Sequence, residues 1–106
     1  MAAKVLGQSA PSAATATTLY TVPSSVAAVC STLAVCNRGS SSTTYRVAVR
    51  PAGATLADAH YIAYQVVLAG YSSDYLTLGI TLATTDVVTV YATDAQVSFT
   101  LFGDES

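Results

Sequence analysis

Thr44-Tyr-Arg-Val-Ala-Val-Arg50 decides the fold. Tyr45, Val47 and Val49 fall on one side, and Thr44, Arg46, Ala48 and Arg50 on the other. Strict period-two alternation marks a strand with one face on a core. Asn37-Arg-Gly-Ser-Ser-Ser42 precedes it as a turn, and Pro51-Ala-Gly-Ala-Thr-Leu-Ala-Asp58 follows as the longest connection. That connection has room for one helical turn near Leu56–Ala59. Upstream lie a short strand, Leu19–Val22, and a long apolar run from Val26 to Asn37. The run is apolar on both faces and so predicts a bulge or bend. Downstream, strands are predicted over His60–Leu68, Tyr75–Ile80, Val87–Thr93 and Gln96–Phe102, ending in a frayed acidic Gly103–Ser106. About seven strands at this spacing, with no helical periodicity over ten residues, predict an all-β fold. The architecture expected is an antiparallel β-sandwich or a jelly-roll-like module.

Composition supports strands and argues against several functions. Of 106 residues, 15 are Thr and 12 are Ser, while only 9% are charged. An ordinary soluble domain carries about 25% charge. Thr, Val and Tyr suit a pleated, half-buried surface, and here hydroxyls supply the polarity that charges usually supply. So few charges leave little electrostatic protection against association. Interfaces are depleted in Lys, Asp and Glu and enriched in Tyr, and this chain has seven Tyr and no Trp. Packing against other chains is therefore the expected role; the bland alternative is a tolerant Ser/Thr surface. Lys4, Arg38, Arg46 and Arg50 are too few for a nucleic-acid stripe. No 18-residue apolar run predicts a membrane helix, and the first residues lack the apolar core of a secretory signal, so use without export is expected.

No catalytic, cofactor or metal site is expected. The single histidine, His60, has no nucleophile motif around it. Asp58, Asp74, Asp86 and Asp94 all fall in predicted loops, where Asp bonds local backbone; no Asp-x-Asp spacing suggests calcium. Cys30 and Cys36, if on one continuous strand, share a face about 20 Å apart, too far for a disulfide. They read as two reduced, buried thiols, with a bond to a neighbouring subunit as the alternative. Residues 1–17 are small and interrupted by Pro11, and read as a flexible arm preceding a domain over 18–106. Such an arm would order only against a neighbour, anchored by Val5 and Leu6, and its removal is expected to leave the fold intact. Tyr45 and Tyr91 read as core. Tyr71 and Tyr75 flank a loop and read as exposed contacts. Arg46 and Arg50 share one strand face, either as an ion-pair ladder to a neighbouring subunit or as a solvated outer face. The candidate interface is thus Val5, Leu6, Arg46, Arg50, Tyr71 and Tyr75.

Several phrases carry a resemblance: Thr18-Leu-Tyr-Thr-Val-Pro23, Val35-Cys-Asn-Arg-Gly39, Tyr45-Arg-Val-Ala-Val-Arg-Pro51, Ala57-Asp-Ala-His-Tyr-Ile-Ala-Tyr64, Leu78-Gly-Ile-Thr-Leu-Ala83 and Asp86-Val-Val-Thr-Val-Tyr91. Across most of residues 18–102 the chain resembles small structural proteins of tailed bacteriophages. The resemblance implies a β-sandwich that cements or decorates capsids, or that builds tails, necks, baseplates or fibre attachments. It implies a major capsid protein or other virion proteins as partners, a homo-oligomer such as a trimer, and assembly in the host cytoplasm into the virion. The pattern is structural, so no functional residue carries over. A reading of another class is a carbohydrate-binding β-sandwich, which needs an exposed aromatic platform; the lack of Trp counts against it.

Overall fold

The computed structural model describes residues 2–106. Eight strands run β1 Ala2–Ser9, β2 Thr17–Thr21, β3 Ala28–Asn37, β4 Thr43–Arg50, β5 Tyr61–Leu68, β6 Ser73–Leu82, β7 Val87–Ala92 and β8 Val97–Glu105. They form two four-stranded antiparallel sheets, ordered β1-β8-β3-β6 and β2-β7-β4-β5. The pairs β1–β8, β2–β7, β3–β6 and β4–β5 are those of one long antiparallel ribbon folded at the β4–β5 connection. Wrapping that ribbon brings β8 beside β3 and β7 beside β4. This is the two-sheet, eight-strand order of a jelly roll. No α-helix occurs among the described residues; the only helical pieces are single 3-10 turns at Pro51–Gly53 and Asp58–His60.

Alternation explains the core. In the second sheet Tyr45, Val47 and Val49 lie opposite Ala92, Val90 and Val88. In the first, Asn37, Val35 and Leu33 lie opposite Val97, Phe99 and Leu101. The inward sets meet as one cluster, centred on Tyr45 and Phe99, whose rings pack edge to face at 6.1 Å. The buried Tyr45 hydroxyl donates to Asp74 Oδ2 at 2.8 Å. Burial, then that carboxylate, pushes the phenol well above its ordinary pKa.

Four expectations need correction. First, residues 2–9 are a strand on the edge of the first sheet, not an arm awaiting a neighbour. Main-chain pairing with β8 satisfies them, and a bulge between Val5 and Gly7 turns Leu6 onto the core. Second, Cys30 and Cys36 do not share a face. A bulge between Cys30 and Thr32 inverts the alternation, so Cys30 is buried inward and Cys36 half-buried on the outer face; both are free thiols. Burial pushes the Cys30 thiol up to about 11, which leaves it inert near neutrality. Third, Tyr91 is not core: it is half-buried on the outer face of the second sheet. Fourth, the acidic end is not frayed. Residues 103–105 extend β8, and Glu105 accepts from Lys4 Nζ at 2.7 Å and from the Tyr20 hydroxyl at 2.5 Å.

That last arrangement gives a pH prediction. The Lys4 ammonium, then the Tyr20 hydroxyl, hold Glu105 below the ordinary glutamate range. A carboxyl depressed on folding stabilises the fold above its unfolded value, about 4.3, and loses that contribution as pH falls through the lower folded value. Glu105→Gln is expected to melt earlier than the native chain at pH 7 and to converge with it in acid. Equal melting curves at every pH, followed by circular dichroism, would show that the cluster contributes nothing.

Candidate docking surfaces

The outer face of the first sheet is built by register. Four cross-strand rows can be followed: Ala3–Asp104–Val29–Thr81, Val5–Phe102–Thr32–Thr77, Gln8–Thr100–Ala34–Tyr75, and Ser98–Cys36–Ser73. The only charge in these rows is Asp104. Val5 is 46% exposed, Val29 41%, Phe102 39% and Tyr75 71%. The face is a broad surface of methyls, hydroxyls and aromatic rings. Phe102 stands outward because the inward phase of β8 is already held by Val97, Phe99 and Leu101.

The outer face of the second sheet differs. The chain between β4 and β5 folds across part of it. Arg50 donates from Nε to Thr89 Oγ1 at 3.1 Å and from Nη1 to the Ala54 carbonyl at 3.1 Å. Asp86 accepts from the Ala52 and Ala83 amides at 2.8 and 2.9 Å, joining this segment to the β6–β7 turn. Ala48, Val87 and Thr89, all outward, are consequently buried. Next to them the Arg46 guanidinium carbon lies 4.4 Å from the centroid of Tyr64 and 4.2 Å from that of Tyr91. Its Nε donates to Gln65 Oε1 at 2.7 Å. Tyr61 packs edge to face on Tyr64 at 4.9 Å, and a shallow depression beside them is lined by Asp58, Tyr61 and Tyr64.

The third surface is the β5–β6 side. Since β1 and β2 meet along one side of the sandwich, β5 and β6 are the free edges along the other. Ile62, Tyr64, Val67, Tyr71 and Tyr75 are exposed along these two strands and the turn between them, Tyr64 and Val67 toward the outer face of the second sheet and Tyr75 toward that of the first.

Five of the six residues picked from sequence are therefore spread over three surfaces, and the sixth is on none of them. Val5 joins Phe102 and Val29 on the first sheet, while Leu6 turns inward. Arg46 and Arg50 are engaged within the chain, by aromatic rings and by the crossing segment. Tyr71, 77% exposed, and Tyr75 stand on the β5–β6 side. Phe102, Val29, Ile62, Tyr64 and Val67 were not anticipated. Phe102 had a signal, since it breaks the alternation of Val97, Phe99 and Leu101.

The titratable groups are mostly occupied structurally. His60 Nδ1 accepts from the Ala57 amide at 3.0 Å, and Asp74, Asp86 and Glu105 serve the contacts above. No cluster of three or more His, Cys, Asp or Glu suited to a metal occurs among the described residues. Among the described residues no helix is long and apolar enough to cross a membrane. No protein-family model, curated protein or solved structure matches this chain.

Proposed function

We propose that this chain is a non-enzymatic structural protein of a tailed-phage virion, a cement or decoration protein that docks on the capsid surface as a symmetric oligomer. The observation that carries the reading is the outer face of the first sheet: four cross-strand rows with one charge. A face with few charges loses little by desolvation when a protein surface covers it. The phrase likeness to phage structural proteins supports the same reading. The jelly roll is a scaffold used by viral capsid and lectin domains, which is analogy at the level of fold and not of function. A tail, neck or baseplate position satisfies the same chemistry.

A second reading, sugar binding, has one observation in its favour. Tyr64 is 56% exposed and, with Tyr61 and Asp58, lines a depression that offers a ring and a carboxylate to a hexose.

The test introduces charge on the docking face. Val29→Lys combined with Phe102→Asp is expected to fold normally and to lose retention on purified particles by tenfold or more (about 1.4 kcal/mol). Microscopy of particles then places the native chain on capsid or tail. Full retention of the folded double variant would remove this face from the reading. Absence of the chain from particles would remove the reading itself.

A further inference from the structure

The β5–β6 side has a property the docking face does not explain. From Tyr61 to Thr85, 25 residues, the chain carries a single charge, Asp74, and that carboxylate accepts from the buried Tyr45 hydroxyl. Five of the eight large exposed apolar residues among those described lie on these two strands and the turn joining them, which bridges the two sheets: Ile62, Tyr64, Val67, Tyr71 and Tyr75. Both strands are free sheet edges. Free edges are ordinarily defended by Lys, Pro or inward charges, and neither strand has a Lys, an Arg or a Pro. The defences present are the single inward charge of Asp74 at the start of β6 and irregular backbone at Gln65 and Gly79, where φ is 54° and 60°. On the opposite side β1 carries Lys4, β2 is only five residues long, and the two strands meet each other.

We infer that the β5–β6 side is the surface through which this chain associates with a second copy of itself, edge to edge about a two-fold axis. A two-fold contact sets each patch against its own image, so any charge near the axis meets its like. A neutral, apolar patch avoids that repulsion, and it offers nothing to a charged partner. The size is adequate. A ten-residue strand is about 33 Å long, and the smallest dimension of the molecule is 19 Å. Their product is roughly 600 Å² per copy, or about 1,200 Å² in total, above the ~1,000 Å² expected of a specific contact but at the small end of stable ones. The inference deepens the oligomer part of the proposed function, assigning it two-fold symmetry in place of a trimer. It stands whether or not the first sheet binds a capsid.

Sedimentation of the full chain over concentrations up to about 100 µM, the range of a contact this small, tests it. The native protein is expected to shift from monomer to dimer. Val67→Glu and Tyr71→Glu, both at exposed positions outside the docking face, are each expected to weaken dimerisation about tenfold or more, with dichroism and melting of the monomer unchanged. Phe102→Asp, on the docking face, is expected to leave the dimer intact. A native chain that stays monomeric, forms a trimer, or keeps its dimer in both glutamate variants overturns the inference. Dimerisation with no retention on particles would instead count against the virion reading alone.

Discussion

Removing residues 1–9 is expected to destabilise the whole domain. The truncation strips β1 from β8, exposes one edge of a strand that is internal to its sheet, uncovers the core beside Leu6 and deletes the Lys4 partner of Glu105. Partial burial of Leu6 and the loss of several ladder hydrogen bonds together amount to about 3 kcal/mol or more. For a domain near 100 residues that corresponds to a fall in melting temperature of roughly 10–20 °C, a large fraction of an ordinary folding stability. The sequence alone predicts the opposite, an arm whose loss leaves the fold intact. Thermal unfolding of the full and truncated chains separates the two. A shift of only a few degrees would restore the arm and detach β1 from the stable sandwich.

Asn37→Ala is expected to cost as much through a single side chain. Asn37 is 1% exposed, at the point where β3 gives way to the β3–β4 turn. Its Nδ2 donates toward the carbonyls of Ser41, Leu68 and Ala69 at 2.9, 3.3 and 3.2 Å, and its Oδ1 accepts from the Gly39 amide at 2.9 Å. It thus ties the turn of one strand pair to the end of β5. Alanine leaves those groups without a partner, at about 1–3 kcal/mol for each one that water cannot reach. A loss of about 2–4 kcal/mol follows, read as a lower denaturant midpoint at unchanged slope. Asn37→Asp is expected to be worse at neutral pH, since it sets a carboxylate against three carbonyls, and to recover partly in acid as the carboxyl regains one donor. If both variants unfold with the native midpoint, solvent serves these groups and the junction is not structural.

Legibility in the sequence followed the physics of each strand. β4 and β8 could be read because each has one face on the core, and alternation records that directly. β1 could not, because an edge strand is held largely by main-chain pairing, which leaves no mark on side-chain pattern; Pro11 and the small residues around it then read as disorder. The two cysteines were misplaced by one extra residue at Ser31, which inverted every later side chain of β3. A bulge was foreseeable in that doubly apolar run, but its position was not. Tyr71 and Tyr75 were legible as exposed because they flank a loop of polar and small residues. The setting of Arg46 was not legible, since its two rings arrive from β5 and β7, 18 and 45 residues further along the chain. The helical turn expected near Leu56–Ala59 lies in that same β4–β5 connection, begun two residues later at Asp58–His60, with another at Pro51–Gly53.

The pairing of β1 with β8 has a practical consequence. Ala2 and Glu105 are cross-strand neighbours, which places the start of β1 and the end of β8 about 5 Å apart in their backbones. A peptide grafted before residue 2 and another grafted after residue 106 would leave the molecule from the same corner, side by side. Joining residue 105 to residue 2 with a short glycine linker and opening the chain in the exposed stretch around Ala54–Thr55 would keep all eight strands in their places while moving the opening from the edge of the first sheet to the outer face of the second. The eight strands form in that sense a closed circuit, and the point at which it is opened can be chosen to set which side of an assembly carries a grafted cargo.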